Sequence, residues 1–76
     1  EWQQYEGTII AAIKFAERTI PDDVPNKSLE RLDTALKYVL GVYQETNGRR
    51  ATAATEANLK EGIQIVHSTL EANGNL

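Results

Sequence analysis

The chain contains no cysteine and no methionine among its 76 residues. Without cysteine it has neither a disulfide framework nor a thiolate zinc site, which are common ways to stabilise a scaffold of this size. A domain this short buries only about 60% of the surface that its unfolded chain exposes, so a deep cofactor cavity would take up much of its core. The sequence therefore predicts one small domain without a cofactor, stabilised by regular packing or by a partner.

Long apolar runs and an excess of positive charge are also missing. The longest fully apolar run extends from Ile9 to Ile13, which is well short of the roughly 18 residues that span a membrane. Eight basic and eleven acidic residues give a net charge of −3, and mixed charges do not provide the positive field that nucleic acid binding requires. We therefore expect no nucleic acid ligand and a cytoplasmic location.

The first residue is Glu1 and not methionine, which predicts that the chain is a piece of a longer protein. Contact with a membrane is then expected only through a segment upstream of Glu1. Trp2 and Tyr5 have the amphipathic side chains that gather at membrane interfaces. Their spacing along the chain favours packing in the core instead.

Apolar residues in the first twenty positions recur every three or four residues, the spacing of an amphipathic helix. This stripe consists of Trp2, Tyr5, Ile9, Ala12, Ile13, Ala16 and Ile20. Pro21 ends the helix, because proline has no N–H to donate and forces the preceding residue out of the helical conformation. We predict a helix over about 1–20, followed by a turn over 21–27.

Two further apolar stripes predict two more helices, over about 28–46 and 53–73, joined by a link over 47–52. The stripes consist of Leu29, Leu32, Leu36, Val39 and Tyr43, then Leu59, Ile63, Val66 and Leu70. Asn26 or Ser28 is expected to cap the second helix and Thr52 the third. Both helices end at an Asn-Gly pair, at Gly48 and Gly74, since these residue types accept the left-handed conformation that closes a helix.

Matched helix lengths and short connections predict antiparallel neighbours, and therefore an all-α, up-down-up three-helix bundle forming one domain over 1–76. The three stripes, apart from Ala12, form its predicted core. Gly62 lies inside the third helix, where glycine costs about 1 kcal/mol relative to alanine. Either a neighbouring group approaches closely there, or the glycine is tolerated at the surface.

Residues suited to catalysis or metal binding are few. His67 is the only histidine, and its same-face neighbours Gln64 and Glu71 provide too few ligands for a metal ion. We expect His67 to interact with a carboxylate or with water. Asp22 and Asp23 are expected to stabilise the turn. The sequence thus predicts no enzyme, no catalytic residue and no metal, with a carboxylate-based or metal site shared between subunits as a remote alternative.

Four larger apolar side chains lie off the three stripes: Ile10, Phe15, Tyr38 and Ile65. Isolated apolar residues are common on protein surfaces, whereas a group of them can mark an interface. The main functional hypothesis is a non-enzymatic module for protein interaction or oligomerisation. It would bind itself or another protein through this apolar helical face.

An alanine-rich first helix is followed by a leucine-rich second one. The segments concerned are Ile-Ile-Ala-Ala-Ile-Lys-Phe-Ala-Glu, from Ile9 to Glu17, and Lys37-Tyr38-Val39-Leu40. Over about half the chain, this pattern resembles the soluble C-terminal domain of small phage holins of the lactobacillus-phage type. The resemblance implies a cytoplasmic domain that controls the oligomerisation of a membrane-permeabilising protein, with no catalytic residues. The link from Pro21 to Lys27 departs from that family, whose link is rich in glycine and lysine.

Overall fold

The computed structural model describes all 76 residues and contains three α-helices preceded by one short 3-10 turn. The turn spans Trp2–Tyr5 and continues into α1, Glu6–Thr19; α2 spans Lys27–Asn47 and α3 spans Ala53–Ala72. There are no strands, and each helix packs against the other two. The predicted all-α three-helix domain is confirmed. None of the helices combines the length and the apolar character that crossing a membrane requires.

Both ends of α3 follow from local chemistry. At its start, the Thr52 hydroxyl accepts a hydrogen bond of 3.2 Å from the backbone N–H of Thr55, which confirms the predicted cap. At its end, Gly74 has a φ of +72°. This left-handed residue turns the chain back, so that the N–H of Asn75 reaches the carbonyl of Leu70 at 2.8 Å in the manner of a Schellman motif.

The sequence predicts the end of α2 correctly but not the cap at its start. Gly48 closes the helix with a φ of +71°, and its N–H donates to the carbonyl of Gln44, as its residue type predicts. The start is less regular. Asn26 precedes the helix in the left-handed conformation, and its side chain makes no capping hydrogen bond. Ser28 lies one residue inside the helix, so the expected side-chain cap is absent.

The core lies where the three apolar stripes meet. Ile9, Val39 and Leu59 come from different helices and are almost completely buried. Ten buried apolar residues form one cluster: Ile9, Ala12, Ile13, Ala16, Ala35, Leu36, Val39, Leu59, Ile63 and Val66. A half-buried layer packs around them and consists of Trp2, Tyr5, Ile10, Leu32, Leu40, Tyr43 and Leu70.

Leu29 is the clearest error in the predicted core, because its side chain is 67% exposed. Helical spacing indicates the direction in which a residue points, but it does not show whether a neighbouring helix covers that position. Leu29 lies in the first turn of α2, where a cleft separates the helices. Ile20, also predicted in the core, is half-buried just after α1.

Gly62 lies against Trp2. A β-carbon built at position 62 would come within 2.5 Å of Cγ and 2.7 Å of Cβ of Trp2, which is closer than non-bonded carbon atoms approach. Glycine therefore allows the indole to lie on the backbone of α3. Of the two interpretations left open for this glycine, the close approach of a large side chain is confirmed. Trp2 and Tyr5 both pack against the core, as their spacing predicts.

Candidate functional site

Phe15 of α1 and Tyr38 of α2 form an exposed aromatic pair. Their ring centroids lie 5.4 Å apart with planes tilted by 42°, a separation and tilt that favour attraction between aromatic rings. The two side chains are 36% and 38% exposed. The guanidinium of Arg18 lies 6.0 Å from the centroid of Phe15, within range of a cation–π interaction. We call Phe15, Tyr38 and Arg18 the aromatic patch.

The other two residues of the predicted surface occupy different environments. Ile65 is 45% exposed, but it lies on α3, whereas the two rings lie on α1 and α2. Ile10 is half-buried and packs against the core, so it contributes less to an exposed face than its position off the stripe predicts. The structure thus brings Phe15 and Tyr38 into direct contact, a pairing that helical spacing within either helix does not reveal.

A cleft of about 710 Å³ is lined by the C-terminal halves of α1 and α3 and the N-terminal half of α2. Its apolar lining includes side chains from all three helices, namely Ile13, Ala16, Leu32, Ala35 and Ile63. Leu29 and Leu76 also line it and remain 67% and 44% exposed. This volume lies within the range of about 300 to 1,000 Å³ that is typical of ligand pockets.

Glu17 links the three helices beside this cleft. Its Oε1 atom lies 3.3 Å from Nη1 of Arg31 on α2, and its Oε2 atom lies 3.7 Å from Nε2 of His67 on α3. His67 therefore lies beside a carboxylate, at a distance longer than a hydrogen bond. Glu17 and Arg31 are not predicted as site residues from the sequence, because a pairing between helices leaves no signal in the spacing along one of them.

Arg31 ties the start of α2 to the end of α1. Its side chain is only 15% exposed, and Nε and Nη2 donate to the carbonyl oxygen of Ile20 at 3.0 Å and 2.7 Å. Carbonyl groups at the end of a helix have no partner within the helix. Arg31 therefore satisfies one such group while its remaining nitrogen pairs with Glu17.

Asp22 occupies the turn between α1 and α2 and faces two cations. Its Oδ1 atom accepts hydrogen bonds from Nζ of Lys27 at 3.2 Å and from Nη2 of Arg31 at 3.1 Å. The hydrogen bond from Lys27, then that from Arg31, lowers the pKa of Asp22 from its ordinary value of 3.8. This is the turn-stabilising role that the sequence predicts, although the carboxylate is exposed and solvent screens its ion pairs.

The lowered pKa of Asp22 predicts a loss of stability in acid. The ionised carboxylate is favoured in the folded state, so its contribution is complete above the unfolded-state pKa and is lost as the pH falls through the lower folded-state pKa. We expect Asp22→Asn to reduce the loss of unfolding free energy between pH 5 and pH 2. Urea unfolding followed by circular dichroism measures this, with Asp23→Asn as the control because Asp23 makes no side-chain hydrogen bond or ion pair. An unchanged acid dependence in Asp22→Asn would contradict the prediction.

Neither the cleft nor the aromatic patch contains a group of side chains that could bind a metal ion. No group of three or more histidine, aspartate or glutamate side chains is placed to hold a metal ion. No family model, curated protein or solved structure matches the chain. The resemblance to phage holins stays a prediction from the sequence.

Proposed function

We propose that this domain is a non-enzymatic interaction module that associates with copies of itself through the aromatic patch. The exposed contact between Phe15 and Tyr38 carries the proposal. Both rings lie outside a core cluster that is complete without them. Covering them with a partner removes their remaining apolar surface from water, which is the main driving force of protein association.

The composition of this surface and the dimensions of the domain support the proposal. Aromatic residues and arginine dominate the binding energy of protein interfaces, and both types occur in the patch. The domain measures 36 by 24 by 17 Å. Its broad face therefore has the dimensions for an interface of standard size, which covers about 800 Å² on each partner.

Sedimentation velocity over a wide concentration range tests the proposal. The unmodified chain is expected to sediment faster as its concentration rises. Phe15→Glu is expected to weaken association at least about 30-fold, because truncating an interface hot spot costs about 2 kcal/mol or more and the new carboxylate must also be desolvated. Phe15 is exposed, so the variant is expected to keep its helical circular dichroism.

Ala57→Glu is the matched control for Phe15→Glu. Ala57 is an exposed residue of α3, and it gains the same charge outside the patch. This variant is expected to associate like the unmodified chain. A chain that stays monomeric at millimolar concentration would overturn the proposal. Equal association of Phe15→Glu and Ala57→Glu would show that the patch is not the contact surface.

A further inference from the structure

We infer that Asn73 is a site of spontaneous deamidation and that the fold protects Asn47 from the same reaction. Each of these asparagines is followed by glycine, in the pairs Asn47-Gly48 and Asn73-Gly74. Both pairs end a helix and both asparagines are exposed, so neither residue type nor exposure separates them. The hydrogen bonds that hold each pair do separate them. This inference is independent of the proposed self-association.

Deamidation at an Asn-Gly pair begins at the backbone nitrogen of the glycine. This nitrogen gives up its proton to hydroxide and attacks Cγ of the asparagine, since glycine has no side chain to block the approach. A bond forms between the nitrogen and Cγ, the bond from Cγ to Nδ2 breaks, and Nδ2 leaves as ammonia after taking a proton from water. Water then opens the resulting cyclic imide at either carbonyl, which gives aspartate or isoaspartate. The net reaction consumes water and releases ammonia.

Both glycine N–H groups donate hydrogen bonds in the folded chain, so each pair reacts only after a local opening. Gly48 donates to the carbonyl of Gln44 at 2.8 Å, whereas Gly74 donates to the carbonyl of Glu71 at 3.1 Å. The bond from Gly74 is the longer, and it reaches back three residues instead of four, which gives a poorer hydrogen-bond geometry. Opening the backbone therefore costs less free energy at Gly74.

The side chain of Asn47 is also anchored. Its Nδ2 atom donates to the carbonyl oxygen of Tyr43 at 2.9 Å and to the hydroxyl oxygen of Tyr5 at 3.1 Å. Both tyrosines pack against the core, and their ring centroids lie 5.8 Å apart. Deamidation at Asn47 requires both bonds to break, because ammonia leaves from the atom that donates them. The side chain of Asn73 makes no hydrogen bond.

Deamidation at Asn73 changes the end of α3. The new carboxylate adds a negative charge to the net charge of −3, at the helix terminus where the helix dipole disfavours anions. Isoaspartate also inserts its Cβ atom into the backbone before Gly74. The N–H of Asn75, which donates to the carbonyl of Leu70 at 2.8 Å, is then displaced. We therefore expect the product to loosen this last turn and to leave the core unchanged.

Peptide mapping by mass spectrometry, during incubation in mildly alkaline buffer, follows both sites in the same chain. Asn73 is expected to deamidate at least about tenfold faster than Asn47, because the two side-chain hydrogen bonds of Asn47 must break first. In denaturing urea the two rates are expected to become similar, since both asparagines precede glycine. This control separates the effect of the folded structure from that of the local sequence.

Tyr5→Phe tests the protection directly. It removes the hydroxyl that accepts a hydrogen bond from Asn47 and keeps the aromatic ring. Deamidation of Asn47 is expected to accelerate about threefold or more, while the rate at Asn73 stays the same. Circular dichroism checks that the variant is folded.

Asn73→Gln is the second variant and is expected to remove the fast gain of negative charge that ion-exchange chromatography detects. Equal rates at the two sites of the folded chain, or a faster rate at Asn47, would overturn the inference. A folded Tyr5→Phe variant with an unchanged rate at Asn47 would overturn the protective role of the Tyr5 hydroxyl.

Discussion

Replacing Leu59 by alanine is expected to destabilise the domain by about 3 kcal/mol, within the range of about 2 to 5 kcal/mol that large-to-small core substitutions cost. Leu59 is 1% exposed, so alanine leaves a cavity and removes contacts at the centre of the bundle. A domain of 76 residues has a total stability of roughly 4 to 11 kcal/mol. The variant therefore loses a large part of its unfolding free energy, which urea denaturation followed by circular dichroism measures.

Leu29→Ala is the matched control, because both leucines lie on apolar stripes of helical spacing. Leu29 is 67% exposed, and substitutions at such positions usually change stability by less than about 0.5 kcal/mol. The two variants lose the same side-chain atoms, so the difference between them measures burial alone. Equal destabilisation by both would contradict the placement of Leu29 outside the core.

Gly62→Ala is expected to destabilise the domain by about 1 kcal/mol or more, although alanine is the better helix former. Alanine in place of glycine contributes about 1 kcal/mol of helix propensity, whereas overpacking typically costs about 1 to 3 kcal/mol. Here the cost is expected at the upper end. The new methyl meets the Cβ and Cγ atoms of Trp2, which cannot move aside by rotation of the indole alone.

Gly7→Ala and Gly41→Ala are the controls for this substitution. A β-carbon at either position meets no other atom within 4 Å, so helix propensity acts alone and each variant is expected to gain up to about 1 kcal/mol. Trp2 is the only tryptophan, and its fluorescence reports its position directly. We expect a red shift in Gly62→Ala as the indole moves into water, and none in the controls. A stabilised Gly62→Ala with unchanged fluorescence would contradict the contact with Trp2.

Local patterns in the sequence predict most of the fold. Pro21, Gly48 and Thr52 end or cap helices through the conformations and hydrogen bonds of their own neighbourhood, so their effects are visible in a short window. The apolar stripes predict the buried face of each helix for the same reason, because residues three and four positions apart share a face. Leu36 and Leu59 lie in the core as this periodicity requires.

The sequence by itself thus determined the number of helices, their approximate ends and the face that each one buries. Only the tertiary structure decided which side chains meet across helices: Phe15 with Tyr38, Glu17 with Arg31 and His67, and Trp2 with Gly62. It also decided that Leu29 borders a cleft. The physical reason is that the depth and rotation of one helix against another are set by the packing of many side chains at once, and helical periodicity records neither.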